Sequence, residues 1–174
     1  GLNKRLLSVA EFVRQGAIFA DIGTDHAYLP LFLLKEGRIS SAFCSDINEG
    51  PLASAKRNAA DMELLDKITF TLAAGAEALS GCGITDYAIC GMGGELISDI
   101  IERAPHLKDA GVNLILQPMS KVAHLRKYLL ASGFSIITES YSRDAGKSYV
   151  CMLVTYTGEV RDIDSVTADL GSFD

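Results

Sequence analysis

Residues 17–26 read AIFADIGTDH, a short apolar run followed by a glycine and then by polar and charged residues. The apolar run predicts a buried β-strand. Gly23 predicts a tight turn at its end, because glycine lets the backbone turn sharply and approach a ligand closely. In doubly wound α/β sheets, ligands bind just beyond the carboxyl ends of such strands. The turn after residue 22 is therefore a candidate binding site.

Helical and strand patterns alternate on both sides of this stretch. A helical face formed by Leu2, Leu6, Val9 and Val13 precedes it. Further helices are expected at 27–37, 51–64, 76–81, 95–107 and 121–133, and further strands at 41–47, 67–75, 86–94 and 112–118. Several of these strands are continuously apolar, which is typical of a parallel sheet covered by helices on both faces.

The end of the chain departs from this alternation. Strands are expected at 134–142 and 147–158 with only a short turn between them, so they form an antiparallel hairpin. A mostly parallel, doubly wound sheet closed by such a hairpin is the architecture of the class I methyltransferases. The sequence therefore predicts a Rossmann-like α/β fold of that class, with one domain over residues 1–158.

Composition limits the classes of function. No apolar run approaches the roughly 20 residues that a membrane helix needs, so we expect no membrane partner. The four cysteines form no CxxC pair and stand at no zinc-like spacing from histidines. We therefore expect no metal site and a reducing, cytoplasmic setting. The net charge of −6 disfavours broad, sequence-blind binding to nucleic acid, although a local basic patch is compatible with it.

The turn after the first strand fails as a dinucleotide loop. In a GxGxxG pattern that starts at Gly23, Asp25 takes the place of the second glycine and Tyr28 that of the third. A carboxylate 4 Å from a pyrophosphate charge costs about 4 kcal/mol at an effective dielectric constant of 20. A cofactor with a cationic amino group or a sulfonium suits Asp21 and Asp25 better, with Gly23 and Thr24 in the same turn. The alternative is that Asp21 only caps the next helix.

Three further loops follow strand ends. Asp46, followed by Ile47, can accept hydrogen bonds from both ribose hydroxyls of an adenosine, although a solvated helix cap remains an alternative. Gly75 and Ala76 offer small residues against which an adenine ring could lie. The segment Cys90, Gly91, Met92, Gly93 and Gly94 suits the approach of a flat ligand to the main chain, and it lacks the stacking aromatic of many amino-directed methyltransferases.

The chain resembles the bacterial tRNA (adenine-N1) methyltransferases that act on adenine 22, over about residues 2–158. The resemblance rests on DIGTDHAYLP at 21–30, Asp46, CGMGG at 90–94, LILQP at 114–118 and GKSYV at 146–150. It implies S-adenosylmethionine as the cofactor and tRNA as the partner. It also implies that the 21–26 turn, Asp46, the region of Gly75 and the 91–94 loop hold the cofactor.

The sequence departs from the family in three places. The family commonly has Glu at the position of Asp46, a change that keeps the carboxylate. Its Gln-Pro is often followed by Asn where this chain has Met119, which puts a base contact there in doubt. The family also carries a helical C-terminal domain, and we expect the polar residues 159–174 to be the start of such a domain, the rest of which is missing from this sequence.

The resemblance implies attack by an adenine N1 lone pair on the sulfonium methyl group. We expect Asp25 to stabilise the cationic product base, His26 to accept a proton, and Gln117 to hydrogen-bond a base edge. Local cations would contact the tRNA, the candidates being Lys4, Arg5, Arg14, Lys121, Arg126 and Lys127. The alternatives are a methyltransferase with another substrate and a module that binds S-adenosylmethionine without catalysis. An NAD-dependent oxidoreductase ranks last because of Asp25 and Tyr28.

Overall fold

A computed structural model describes residues 2–161 of the chain. In this part the chain forms seven β-strands: β1 (Ala17–Ile22), β2 (Ile39–Asp46), β3 (Ile68–Leu72), β4 (Asp86–Gly93), β5 (Asn113–Ser120), β6 (Phe134–Asp144) and β7 (Lys147–Tyr156). It also forms five α-helices: α1 (Lys4–Phe12), α2 (Tyr28–Lys35), α3 (Glu49–Asp61), α4 (Gly94–Glu102) and α5 (Val122–Ala131).

All seven strands lie in one sheet with the order β3-β2-β1-β4-β5-β7-β6. The first five strands are parallel, whereas β7 runs antiparallel to β5 and forms a hairpin with the edge strand β6. The predicted fold is therefore confirmed. Because β1 lies between β2 and β4, the winding of the chain changes direction at β1 and β4, and a crevice opens beyond their carboxyl ends.

The helices cover both faces of the sheet, which explains the continuously apolar strands. Residues from α4 and α5 pack on one face against alternate strand residues such as Tyr87, Ile89 and Leu114. Residues from α1, α2 and α3 pack on the other face against the intervening residues, among them Ala88 and Ile115. The central strands β1, β4 and β5 thus bury both sets of side chains.

Two predicted helices are shorter than expected. The segment 76–81 forms only a single 3₁₀ turn, at Glu77–Leu79, and is followed by Gly81. Helix α4 ends at Glu102 instead of continuing to 107, because Pro105 cannot donate a backbone hydrogen bond inside a helix. A separate 3₁₀ turn follows at Pro105–Lys108, with the proline at its start.

Two of the candidate tRNA-contacting cations form ion pairs with buried carboxylates, Arg14 from an exposed position and Arg126 from a buried one. Arg14 forms an ion pair of 3.0 Å with the fully buried Asp86, at the start of β4 and therefore at the amino-terminal edge of the sheet. Arg126 is buried and pairs with Glu139 at 2.7 Å. Each arginine thus compensates a buried carboxylate, and a contact of either side chain with tRNA stays a prediction.

Within residues 2–161, the structure has no helix long and apolar enough to span a membrane. Of the expected C-terminal segment, residues 159–161 extend beyond β7, and residues 162–174 lie outside the described part of the chain.

Candidate cofactor site

A cavity of about 550 Å³ opens beyond the carboxyl ends of β1, β2 and β4. It lies where the change of winding predicts a ligand site. It brings together nine of the residues that the sequence analysis selected: Asp21, Gly23, Thr24, Asp25, His26, Asp46, Cys90, Gly91 and Met92.

The turn that closes this cavity has an unusual backbone. The amides of Gly23 and Thr24 both donate to the carbonyl oxygen of Ser45, which ties the turn to β2. Asp25 and Ala27 both have left-handed conformations, with φ of 57° and 62°. Such conformations cost on the order of 1–3 kcal/mol each outside glycine and are concentrated at functional sites. The surrounding structure therefore stabilises a turn that the isolated segment would not favour.

Gly23 is required in this turn for two reasons. Its φ is +74°, and a Cβ atom at this position would lie only 2.6 Å from Cε of Met92. A larger residue would therefore strain the backbone and displace the side chain that forms the opposite wall of the cavity.

Asp21 is the buried acid of the site, with 6% of its surface exposed. Burial raises the pKa of its carboxyl group from the ordinary 3.8 to about 7, against a hydrogen bond from Thr24 that lowers it. The charges of Asp46 and Asp25 raise this pKa further, and Arg5 lowers it. A carboxyl group in this position is poised to ionise when a cation enters the cavity.

Asp46 has its carboxylate fixed by the backbone. One oxygen accepts a hydrogen bond from the amide of Asp25 at 3.2 Å, and the other accepts one from the amide of Asn48 at 2.9 Å. The side chain therefore joins the turn after β1 to the turn after β2. Each carboxylate oxygen has a second lone pair for a ligand, as a ribose contact requires.

Asp25 and His26 lie at the mouth of the cavity and are more exposed, with 72% and 42% of their side chains accessible. His26 Nε2 is 3.7 Å from Oδ1 of Asp25. Its Nδ1 is 2.7 Å from the hydroxyl oxygen of Ser54 on α3. The amide of Asn58 also donates to the His26 carbonyl oxygen. The imidazole is thus held in one orientation between a carboxylate and a hydroxyl group.

The segment 90–94 forms the wall of the cavity opposite the turn. Gly91, with φ of +76°, interrupts the pairing between β4 and β5, so that Cys90 pairs with Gln117 and Met92 with Pro118. Burial raises the pKa of the Cys90 thiol well above its ordinary value, so the thiol contributes no charge to the cavity. The wall is therefore uncharged, in contrast to the acidic turn that faces it.

Gly94 shows a different need for glycine at the start of α4. A Cβ atom there would overlap the backbone carbonyl oxygen of Lys121. The absence of a side chain thus allows close packing of α4 against the turn after β5.

Five selected residues do not line the cavity. Ile47 is exposed beside Asp46, Ala76 is buried in the core, and Gly75 lies near Glu77 and Arg103, outside the cavity. The other two, Gly93 and Gln117, lie beside the cavity at the β4–β5 pair. Direct cofactor contacts by Ile47, Gly75, Ala76 and Gly93 therefore stay predictions.

Several lining residues were not selected from the sequence for the cofactor site. They come from the start of α1 and the first turns of α2 and α3: Asn3, Arg5, Leu6, Tyr28, Leu29, Asn48 and Pro51. The position of Asn48 and Pro51 just after Asp46 was the available signal. No local signal placed α1 over the cavity, because its position depends on packing against distant strands.

The cavity suits an adenosine ligand with a cationic group. Asp21 and Asp46 supply two carboxylates at neighbouring strand ends, and Arg5 is the one Lys or Arg among the lining residues. Within residues 2–161, no group of three or more His, Cys, Asp or Glu side chains is arranged to hold a metal ion.

Comparison with known proteins agrees with this geometry. Residues 2–152 match the family model described as a methyltransferase domain. The tRNA (adenine(22)-N(1))-methyltransferase of Bacillus subtilis is 36% identical over 158 residues, which are 91% of this chain and 66% of that protein. The chain thus spans just under two thirds of the length of this relative.

Solved structures of methyltransferases are also similar to this chain. Streptococcus pneumoniae Sp1610 in complex with S-adenosyl-L-methionine has a TM-score of 0.90 and 39% identity, and the match covers 99% of this chain and 80% of that one. The M. capricolum TrmK complex with S-adenosyl-homocysteine has a TM-score of 0.85 and 27% identity, and the match covers 98% of this chain and 76% of that one. The chain therefore belongs to the S-adenosylmethionine-dependent methyltransferases, in the family of the bacterial tRNA (adenine(22)-N(1))-methyltransferases.

Proposed function

We propose that this protein transfers a methyl group from S-adenosylmethionine to N1 of an adenine in tRNA. The observation that carries the proposal is the cavity at β1, β2 and β4, in which Asp21 and Asp46 lie opposite the uncharged wall at 90–92. Membership of the family supplies the reaction and the substrate class. Methylation of tRNA also favours a cytoplasmic location.

The cofactor, when bound, supplies an electrophilic methyl group on a positively charged sulfur. Asp46 is proposed to accept the ribose hydroxyls with the lone pairs that its backbone hydrogen bonds leave free. Asp21 is proposed to offset the positive charge of the cofactor from its buried position.

Alignment is the main catalytic contribution of the chain. The protein needs to hold the N1 lone pair in line with the methyl group, and such positioning can supply roughly 7–11 kcal/mol. Asp25 and His26 are proposed to act after transfer, when the methylated base is cationic. Asp25 stabilises that charge at the mouth of the cavity, and His26, oriented by Ser54, accepts the proton that the exocyclic amino group of the methylated adenine loses as the base becomes neutral.

Three exposed lysines remain as candidates for phosphate contacts. Lys4 begins α1 on the cavity side of the sheet, and Lys121 follows β5 at the same edge. Lys127 is exposed on α5. Arg14 and Arg126 are less suited, because each is paired with a buried carboxylate. Because the phosphate contribution falls with salt, we expect tRNA affinity to be strongly dependent on ionic strength.

The test combines calorimetry with methyl transfer. We expect S-adenosylmethionine to bind with micromolar affinity and NAD not to bind, and Asp46→Ala to abolish cofactor binding. Unmodified tRNA transcripts should then accept radioactive methyl groups, and a transcript with guanine at position 22 should not. Binding of the cofactor without transfer to any tRNA or small molecule would favour a non-catalytic module. Transfer to the guanine-22 transcript would show that another position is the target.

A further inference from the structure

Arg5 occupies an unexpected place for a residue on an exposed helix. It lies one residue into α1, is half-buried, and is the single Lys or Arg among the residues that line the cavity. Its Nη1 is 3.9 Å from the position that a Cβ atom at Gly91 would occupy. The guanidinium group is therefore at the β4–β5 side of the cavity, away from Asp46 at the end of β2.

Gln117 holds this guanidinium group in place. Arg5 Nη1 donates to the side-chain oxygen of Gln117 at 2.6 Å, and the amide nitrogen of Gln117 donates back to the backbone carbonyl of Arg5 at 3.2 Å. Gln117 is completely buried. Both polar atoms of its side chain are thus engaged by Arg5, and the side chain is buried beside the cavity instead of lining it.

Tyr149 supports the guanidinium group from the hairpin. It lies near the start of β7, opposite Ser142 of β6, and its ring centroid is 6.0 Å from the central carbon of Arg5. A cation–π contact of this kind favours a guanidinium group over the ring face. The antiparallel hairpin therefore brings an aromatic side chain to the edge of the sheet where the 90–94 segment has none.

We propose that Arg5 is the platform on which the target adenine stacks, with Gln117 and Tyr149 as positioning residues that fix its guanidinium plane. This inference rests on the proposed function. Unstacked bases in RNA are commonly held on guanidinium planes. A planar group fixed on two sides loses little freedom when a base binds. The positive charge of Arg5 also disfavours an adenine protonated at N1, which has no lone pair for attack.

The location of the platform agrees with the proposed cofactor pose. If Asp46 holds the ribose at β2, the remainder of the cofactor extends past Asp21 towards β4. The acceptor base then belongs on the far side, where Gly91 and Arg5 lie. Tyr28, an exposed aromatic residue of the cavity rim, belongs to α2 on the other side of the crevice.

The deciding experiment measures Arg5→Lys in steady-state methylation of an unmodified tRNA transcript and in calorimetry with S-adenosylmethionine. Lysine keeps the charge but has no planar guanidinium group on which a base can stack. We expect cofactor affinity to stay within about twofold and kcat to fall about tenfold to a hundredfold, the fold-change that corresponds to one stacked base. Lys108→Ala is the control, because Lys108 also contacts a tyrosine ring but does so away from the cavity.

Two further variants test the positioning roles. Gln117→Ala should lower kcat as Arg5→Lys does, and the double variant should show little additional loss, because Gln117 acts through Arg5. Tyr149→Phe should keep most of the activity, whereas Tyr149→Ala should not. A merely structural role for Gln117 would instead give additive losses.

Three results would overturn the inference. Unchanged kcat in Arg5→Lys, with a higher KM for tRNA and a smaller salt dependence, would assign Arg5 to a phosphate. Loss of cofactor affinity in Arg5→Lys would assign it to the cofactor. A wild-type protein that binds the cofactor but methylates no tRNA would remove the proposed function itself and the platform with it, a failure distinguishable from the other two.

Discussion

Cofactor binding should depend on pH through Asp21. In the free protein the buried carboxyl group has a pKa of about 7, so it is mostly protonated at pH 5.5. Binding of a positively charged cofactor beside it requires the ionised form, and one proton is released. We therefore expect the affinity for S-adenosylmethionine to rise with pH and to level off above pH 7.

The size of the affinity loss at low pH follows from the pKa of Asp21. At pH 5.5, about 1.5 pH units below the pKa, removal of the proton costs about 2 kcal/mol, or roughly a thirtyfold loss of affinity. The stability of the folded protein without cofactor changes with pH in the opposite direction. Because the pKa of Asp21 is raised on folding, its favourable contribution is complete below pH 3.8 and is lost as the pH rises through about 7. The contribution of Asp21 to the free energy of unfolding differs by on the order of 4 kcal/mol between these two pH limits.

The assay is calorimetric titration from pH 5.5 to 7.5 in buffers with different heats of ionisation, which counts the released protons. Asp21→Asn is the matched variant, since it keeps the shape without the titration. It should bind the cofactor weakly at every pH and should unfold at a higher temperature than the wild type at pH 8. A wild-type affinity for S-adenosylmethionine that does not change with pH would refute the reasoning. If the affinity of Asp21→Asn changes with pH as much as that of the wild type, the released proton belongs to another group.

Three other predictions concern single contacts. Gly23→Ala should weaken cofactor binding by at least about tenfold and lower stability by about 1–2 kcal/mol, because of its positive φ and its contact with Met92; unchanged calorimetry and melting would contradict this. Asp46→Glu should retain measurable cofactor binding that Asp46→Ala loses, and equal losses would show that the carboxylate is not the ligand. Glu139→Gln should lower the free energy of unfolding in urea by about 3–5 kcal/mol, because it breaks the buried ion pair with Arg126. A combined Arg126→Met and Glu139→Leu variant should recover much of that loss, and no recovery would argue against the buried charge as the cause.

The fold could be predicted from local signals. The continuously apolar strands, the glycine turns after them and the short link between the last two strands all act over a few residues, and the structure confirms the sheet that they indicate. The predicted extents of the helices were less accurate than the predicted sheet. The segment 76–81 has helical composition but is too short to form an α-helix, and Pro105 divides the expected 95–107 helix.

The site could be predicted only in part, for a related reason. Asp21, Gly23 and Asp46 lie at strand ends, and the topology of a parallel sheet brings such ends to one edge. Sheet topology does not predict which residues pair with the arginines. Arg5 meets Gln117 across 112 positions of sequence, and the helical pattern there identified only Leu2, Leu6, Val9 and Val13 as the inward face. Long-range pairing of a polar side chain is invisible to a pattern that records only the apolar face of a helix.

The separation of charge in the structure reconciles an acidic chain with the anionic substrate that we propose. The net charge is −6, and carboxylates of Asp21, Asp25 and Asp46 surround a cavity suited to a cationic cofactor. Transfer of the methyl group removes the positive charge on sulfur, so the attraction that holds the cofactor weakens when the reaction is complete. Phosphates, in contrast, are repelled from the cavity. We therefore infer that the tRNA backbone stays at the rim near Lys4, and that only an unstacked, neutral base reaches Arg5.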